Sequence, residues 1–178
     1  MSETVWTSRL ARESVPEGGL HVDISADDEV RAVLKKAAGL RDLPRLTASF
    51  DVTPSGRNGI HVVGEVSAVV GQNCVVTLEP IEKNIVEPID LTFTEGQPSL
   101  GDDEGEASFG LGDAEPPEPL VGGAVDLGAV ATEFFLLGID PYPRKEGVTF
   151  ESPNAGDPAV NPFAVLSALK GSKGGDAE

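Results

Sequence analysis

The sequence has little of what most catalytic and metal sites are built from. Its 178 residues include one cysteine, two histidines, one tryptophan and one tyrosine, and aromatic residues make up 5% of the chain. A single cysteine excludes an internal disulfide framework. Cys74, His21 and His61 stand apart, with no Cys-x-x-Cys or His-x-x-x-His spacing from which a tetrahedral metal site is assembled. Basic residues are scarce: thirteen Lys and Arg against thirty Asp and Glu give a formal charge of −17. That balance excludes a basic sleeve around nucleic acid, although not a local basic patch. No run of apolar residues approaches the ~20 that span a bilayer. The start, with acidic Glu3 and no apolar stretch behind it, does not read as a secretory signal, so the cytosol is the expected compartment.

Phosphate and calcium motifs are missing as well. The glycines of Gly101-Asp102-Asp103-Glu104-Gly105 sit among carboxylates that repel phosphate, and no Gly-Lys-Ser or Gly-Lys-Thr enters a helix. The same segment lacks the paired helices and closing Glu of an EF-hand. Thirty acidic residues always supply carboxylate pairs, so no pair stands out as an acid and base. The expectation is a protein without enzymatic activity, cofactor, metal or small-molecule substrate, acting as a monomer.

What is present is an uneven charge pattern and a run of strand signals. Residues 1–83 carry nine basic and twelve acidic groups, residues 84–143 carry thirteen acidic groups and no basic one, and residues 144–178 carry four basic and five acidic. Within the centre, residues 96–119 are rich in Gly, Pro and carboxylates and bury too little apolar surface to offset ordering, which predicts a flexible acidic insertion. Residues 171–178 read as a frayed tail. Around these, one α+β domain is expected over residues 1–170.

Leu20, Val22 and Ile24 alternate, as do Ala48, Phe50 and Val52, the period of a half-buried sheet. A turn at 54–59, with Asn58-Gly59 supplying positive φ, leads to Ile60, Val62, Val66, Ala68 and Val70. Cys74, Val76 and Leu78 then read as a short strand and 80–84 as a connection before Ile85, Ile89, Leu91 and Phe93. Such short connections predict an antiparallel meander or a partly closed barrel. Pro88 belongs at an edge, bulge or strand start. Three helices are expected, of which two to three pack on the fold. The first is capped by Ser25 with Asp28 and ends at Gly39, the second follows Asp126 through Leu137, and the third starts at Asn161-Pro162 and carries Phe163, Leu166 and Leu169.

Candidate partner-binding residues fall in two groups. Glu133 lies in a strongly apolar helix, where an unpaired buried carboxylate is costly, and so either faces solvent, pairs with Arg144 or Arg45, or belongs to a docking surface. Tyr142 is held between Pro141 and Pro143, an extended setting that presents an aromatic ring with little entropy loss, and Arg144 follows it. Arg31, Lys35 and Lys36, with Arg41 and Arg45 nearby, form the one cationic cluster that RNA contact would use, set among Asp27, Asp28, Glu29 and Asp42. Trp6 is either a partner anchor or part of the core.

Several segments, in order, resemble the bacterial YceD-like family of large ribosomal RNA subunit accumulation proteins. They are Val62-Val63-Gly64 with Val66 and Ala68, Cys74 through Pro80, Ile89 to Phe93, Val125-Asp126-Leu127-Gly128 with Glu133, Pro141 through Arg144 with Gly147, and Asn161 through Leu166 with Leu169-Lys170. Many members carry two closely spaced cysteines where this chain has Cys74 and Thr77, so a metal or redox role does not carry over. The Thr77-Leu78-Glu79-Pro80 version is similar to an alphaproteobacterial branch. The resemblance implies a ribosome-biogenesis factor that supports large-subunit ribosomal RNA by binding a ribosomal protein or pre-ribosomal RNA. The alternative is an acidic adaptor or chaperone-like factor whose negative segment shields a basic ribosomal protein.

Overall fold

The computed structural model describes residues 5–95 and 117–150. Contacts divide the chain into two units, Met1–Lys145 and Glu146–Glu178, and the first is described below. The expected third helix, the frayed tail and positions 96–116 of the expected insertion lie outside the described residues.

The centre of the first unit is a hairpin of unusual length. Strand β3 (Asp42–Ser55), β4 (Gly59–Asn73) and β5 (Pro80–Thr94) pair antiparallel in sequence order. Before them β2 (Leu20–Ser25) pairs antiparallel with β3, and helix α1 (Asp28–Ala37) makes the β2-to-β3 connection. After them β6 (Glu118–Pro119) pairs parallel with the end of β5. The order β2-β3-β4-β5-β6 leaves two edges, so the sheet does not close into a barrel. A second, two-stranded sheet joins β1 (Arg9–Ala11), which runs into a 3-10 turn, to β7 (Ala124–Asp126), the lead-in to helix α2 (Leu127–Leu137).

Alternation does its expected work in the middle strands. Leu46, Ala48, Phe50 and Val52 of β3, Ile60, Val62, Val66, Ala68 and Val70 of β4, and Ile85, Ile89 and Phe93 of β5 share one buried face. Leu34 from α1 and Leu127, Val130, Ala131 and Phe135 from α2 complete the same cluster. Gly64 is required where β4 crosses Phe50, since a Cβ there would lie 2.1 Å from the Ser49 carbonyl oxygen. Trp6 is 5% exposed and belongs to this core, which removes it from the partner-anchor candidates.

Four local expectations are corrected. Residues 74–79 form a turn rather than a strand, and 80–84, read as a connection, are the first third of β5. The positive φ in the β3–β4 turn falls on Gly56 (+59°), while Gly59 already pairs with Ser55 and Thr94. The cap of α1 is Asp27, whose carboxylate accepts from the Val30 N–H at 2.8 Å, because Ser25 is still in β2, opposite Thr47. Glu118–Pro119 joins the sheet, so the expected insertion overreaches at its C-terminal end. Asp126 caps α2 as expected, accepting from the N–H groups of Gly128 and Ala129. Pro88 lies mid-way along β5, whose far side is paired only at Phe93 and Thr94, so the missing N–H sits on an edge strand.

Candidate functional site

The end of the sheet farthest from the β3–β4 turn gathers segments distant in sequence. Here β4 finishes at Asn73, the chain turns through 74–79, and β5 begins. The segment after α2 is fastened alongside by a series of bonds. Val75 donates its N–H to the Pro143 carbonyl at 2.9 Å, and the Gln72 side-chain amide donates to the Asp140 carbonyl at 2.9 Å. Lys83 Nζ meets Asp140 Oδ2 at 2.7 Å, and Lys145 Nζ meets Glu79 Oε2 at 2.8 Å. The end of α1 approaches from the other side, so that Gly39, Arg41, Gln72, Val75, Pro141 and Pro143 line a groove of about 460 Å³.

Cys74 is the pivot of this junction. It has no exposed surface, and its Sγ accepts from the N–H of Thr77 at 3.5 Å and of Lys145 at 3.4 Å. Donors aimed at sulfur favour the thiolate: the Thr77 hydroxyl most, then the Lys145, Thr77 and Val76 N–H groups, bring its pKa down to about 6. The sulfur is buried, as expected, but it sits in a turn and not on a strand. The neighbouring ion pairs shift in the expected senses. Glu79 is held below the usual carboxylate range by its hydrogen bond from Lys145, and Asp140 by its bond from Lys83 and then by the Tyr142 N–H.

Around the pinned backbone, apolar side chains face solvent. Tyr142 is 71% exposed, Leu78 76% and Val75 44%. Leu78 also has φ +61°, the only positive φ on a non-glycine among the described residues.

Of the predicted site residues, Tyr142 and Arg144 lie here, both exposed. Lys35 lines an adjoining groove with Arg41, Asp42, Pro80 and Glu82, and Lys36 is exposed on the same last turn of α1. Two residues lie elsewhere. Arg31 is turned back on its own helix, where it donates to the Ala26 carbonyl and pairs with Asp28. Glu133 is exposed and lines a separate groove with Arg9, Glu118, Val121 and Asp126, a lining that includes neither Arg144 nor Arg45. Leu78 and Val75 were read as strand residues; a leucine at positive φ leaves no trace in the sequence.

The opposite sheet face carries two cross-strand pairs, His21 with Asp51 at 2.8 Å and His61 with Asp90 at 2.6 Å. The bond from Asp51 is the main cause of a raised His21 pKa. Among the described residues no three His, Cys, Asp or Glu side chains group to hold a metal ion, and no helix is long and apolar enough to cross a membrane.

The model of the family described as large ribosomal RNA subunit accumulation protein YceD matches residues 62–170, more than half the chain. The chain belongs to the YceD family. No curated protein and no solved structure matches it. The family segment starts inside β4, so it contains the 74–79 turn, Glu133, Tyr142 and Arg144, whereas Arg31, Lys35 and Lys36 precede it. Both halves of the junction, the turn and the Pro141–Arg144 segment, therefore belong to the family segment. The family's description ties the chain to accumulation of large-subunit ribosomal RNA.

Proposed function

We propose that this protein supports large-subunit ribosomal RNA by docking a partner at the 74–79 and 139–145 junction, without chemistry of its own, in the compartment where ribosomes assemble. The observation that carries this reading is the fastening of two segments some 65 residues apart into one rigid platform that leaves Tyr142 outside. A platform of paired charges around exposed apolar side chains is the composition of a small interface, an apolar centre within a polar rim.

Between the two partner classes, the pairing of cations favours a protein. Lys83, Lys145 and Arg31 each already face a carboxylate of this chain, which leaves less positive charge for phosphate. Pre-ribosomal RNA is the second reading, supported by Lys35 and Arg41 beside one groove.

The test is complementation of a depletion strain. Wild-type protein restores the ratio of large- to small-subunit ribosomal RNA, and Tyr142→Ala at equal abundance restores it less. Depleted cells with an unchanged ratio would remove the reading altogether.

A further inference from the structure

Leu78 occupies two unfavourable states at once. Its side chain is 76% exposed, and its backbone is left-handed, a conformation that costs an L-residue free energy and that glycine or asparagine adopts readily. Neither state is offset inside the fold by burial of the side chain. The turn itself does not require leucine: it is closed by backbone bonds, Leu78 N–H to the Cys74 carbonyl at 2.9 Å and Cys74 N–H to the Glu79 carbonyl at 2.8 Å. The Lys145–Glu79 pair, next to Leu78 on one side and three residues from Tyr142 on the other, fixes the base on which both side chains stand.

We propose that Leu78, supported by Val75 and Tyr142, is the anchor that enters an apolar pocket on a basic protein. This rests on the docking reading above and names the partner's chemistry. Charge decides among occupants. The chain carries −17 overall, and Lys83 and Lys145 at the junction are already paired with Asp140 and Glu79, so at long range a cationic protein is drawn in and an RNA phosphate backbone is repelled. A second copy carries the same −17, and three apolar side chains are a small patch with which to overcome that repulsion.

The experiment uses the full chain immobilised, with two probes taken from purified large ribosomal subunits: their extracted proteins, and their RNA freed of protein. Wild type captures a basic protein, and less of it as salt rises. Leu78→Gly lowers that capture about tenfold or more, while Leu78→Met, which keeps the apolar bulk, retains it. Leu78→Gly melts no lower than wild type, which a residue needed for folding would not allow. If glycine loosens the turn, Leu78→Asn is the deciding variant, because it also tolerates the left-handed backbone. Undiminished capture by the folded variant, capture of the RNA alone, no capture of any extracted protein, or a wild-type dimer that Leu78→Gly dissociates each overturns the proposal. Depletion cells separate the two failures. If Leu78→Gly restores the ribosomal RNA ratio fully, the anchor falls and the docking reading stands; if depletion leaves the ratio unchanged, the docking reading itself falls.

Discussion

The two ends of helix α2 are attached to the molecule by different means. At its start the N-terminal segment crosses directly over the first turn: Leu127 N–H donates to the Ser8 carbonyl at 2.9 Å, and Ser8 N–H donates to Asp126 Oδ1 at 2.8 Å. A Cβ on Gly128 would lie 2.4 Å from the Trp6 carbonyl oxygen. Apart from the Asp126 carboxylate the contact is backbone against backbone, closed by a buried tryptophan. Past its other end, the chain is held by half-exposed ion pairs and a sulfur acceptor, with Tyr142 left outside. The first end resists any change of shape, while the second gives up packing in order to present side chains. Tight packing thus sits at one end of the helix, and the exposed side chains of the proposed docking site lie past the other.

The sharpest way to break that contrast is to add one methyl group at each end. Gly128→Ala has only backbone atoms to displace, Trp6 C at 2.7 Å and Ser8 N at 3.0 Å besides the carbonyl oxygen. We expect it to cost about 3 kcal/mol and to lower the melting temperature by roughly 6–12 °C. Gly138→Ala meets side-chain atoms instead, Glu87 Cγ at 2.5 Å and Oε1 at 2.7 Å and the Ile85 Cγ2 methyl at 2.7 Å. Glu87 can turn aside while the buried Ile85 yields only a little, so its cost, about 1–2 kcal/mol, stays below that of Gly128→Ala. Equal losses in paired thermal melts would show that the two ends are packed alike.

Asp126 gives the next largest effect, because one carboxylate oxygen serves three N–H groups, two from the first turn of α2 and one from Ser8. Replacing it with alanine removes both the cap and the bond to the crossing segment. We expect a loss of about 1–2 kcal/mol, measured by denaturant unfolding. Asp27→Ala, which removes a single bond at the start of α1, should cost about 1 kcal/mol or less.

The same contrast explains what could be read in advance. Caps and alternating apolar residues are local signals, so β2, the centres of β3 and β4, and α2 with its Asp126 cap were legible. The α1 cap slipped by two residues because Ser25 and Asp27 both offer a side-chain oxygen and only pairing with Thr47 decides between them. The start of β5 was not legible, since Glu82, Lys83 and Asn84 look like a polar connection; Lys83 is there to reach Asp140, fifty-seven residues away. Tyr142 and Arg144 were singled out through their proline-flanked segment and the family resemblance, and the structure leaves both exposed. That Arg31 and Glu133 lie apart from the junction was not legible, because a charged residue does not announce whether its partner lies within its own helix, across a groove, or on another molecule.

The last effect concerns the sulfur at the pivot and is visible as a trend with pH. Donors from Thr77, Lys145 and Val76 bring the Cys74 pKa from 9.0 down to about 6 in the fold. A lowered pKa means that the folded state holds the thiolate better than the unfolded chain does, so this contribution is fully present above pH 9, shrinks as pH falls, and is gone below about 6. His21 acts in the opposite sense: its pKa is raised by Asp51, so its contribution is full at low pH and is lost as pH rises through the raised value. Cys74→Ala leaves the His21 pair in place, so the difference between the two melting temperatures isolates the sulfur. That difference should widen in favour of the wild type from pH 6 to pH 9, on top of a constant offset from the lost side-chain volume. A flat difference would mean that the turn and the segment after α2 are joined around a neutral thiol, and that the ion pairs alone hold this end together.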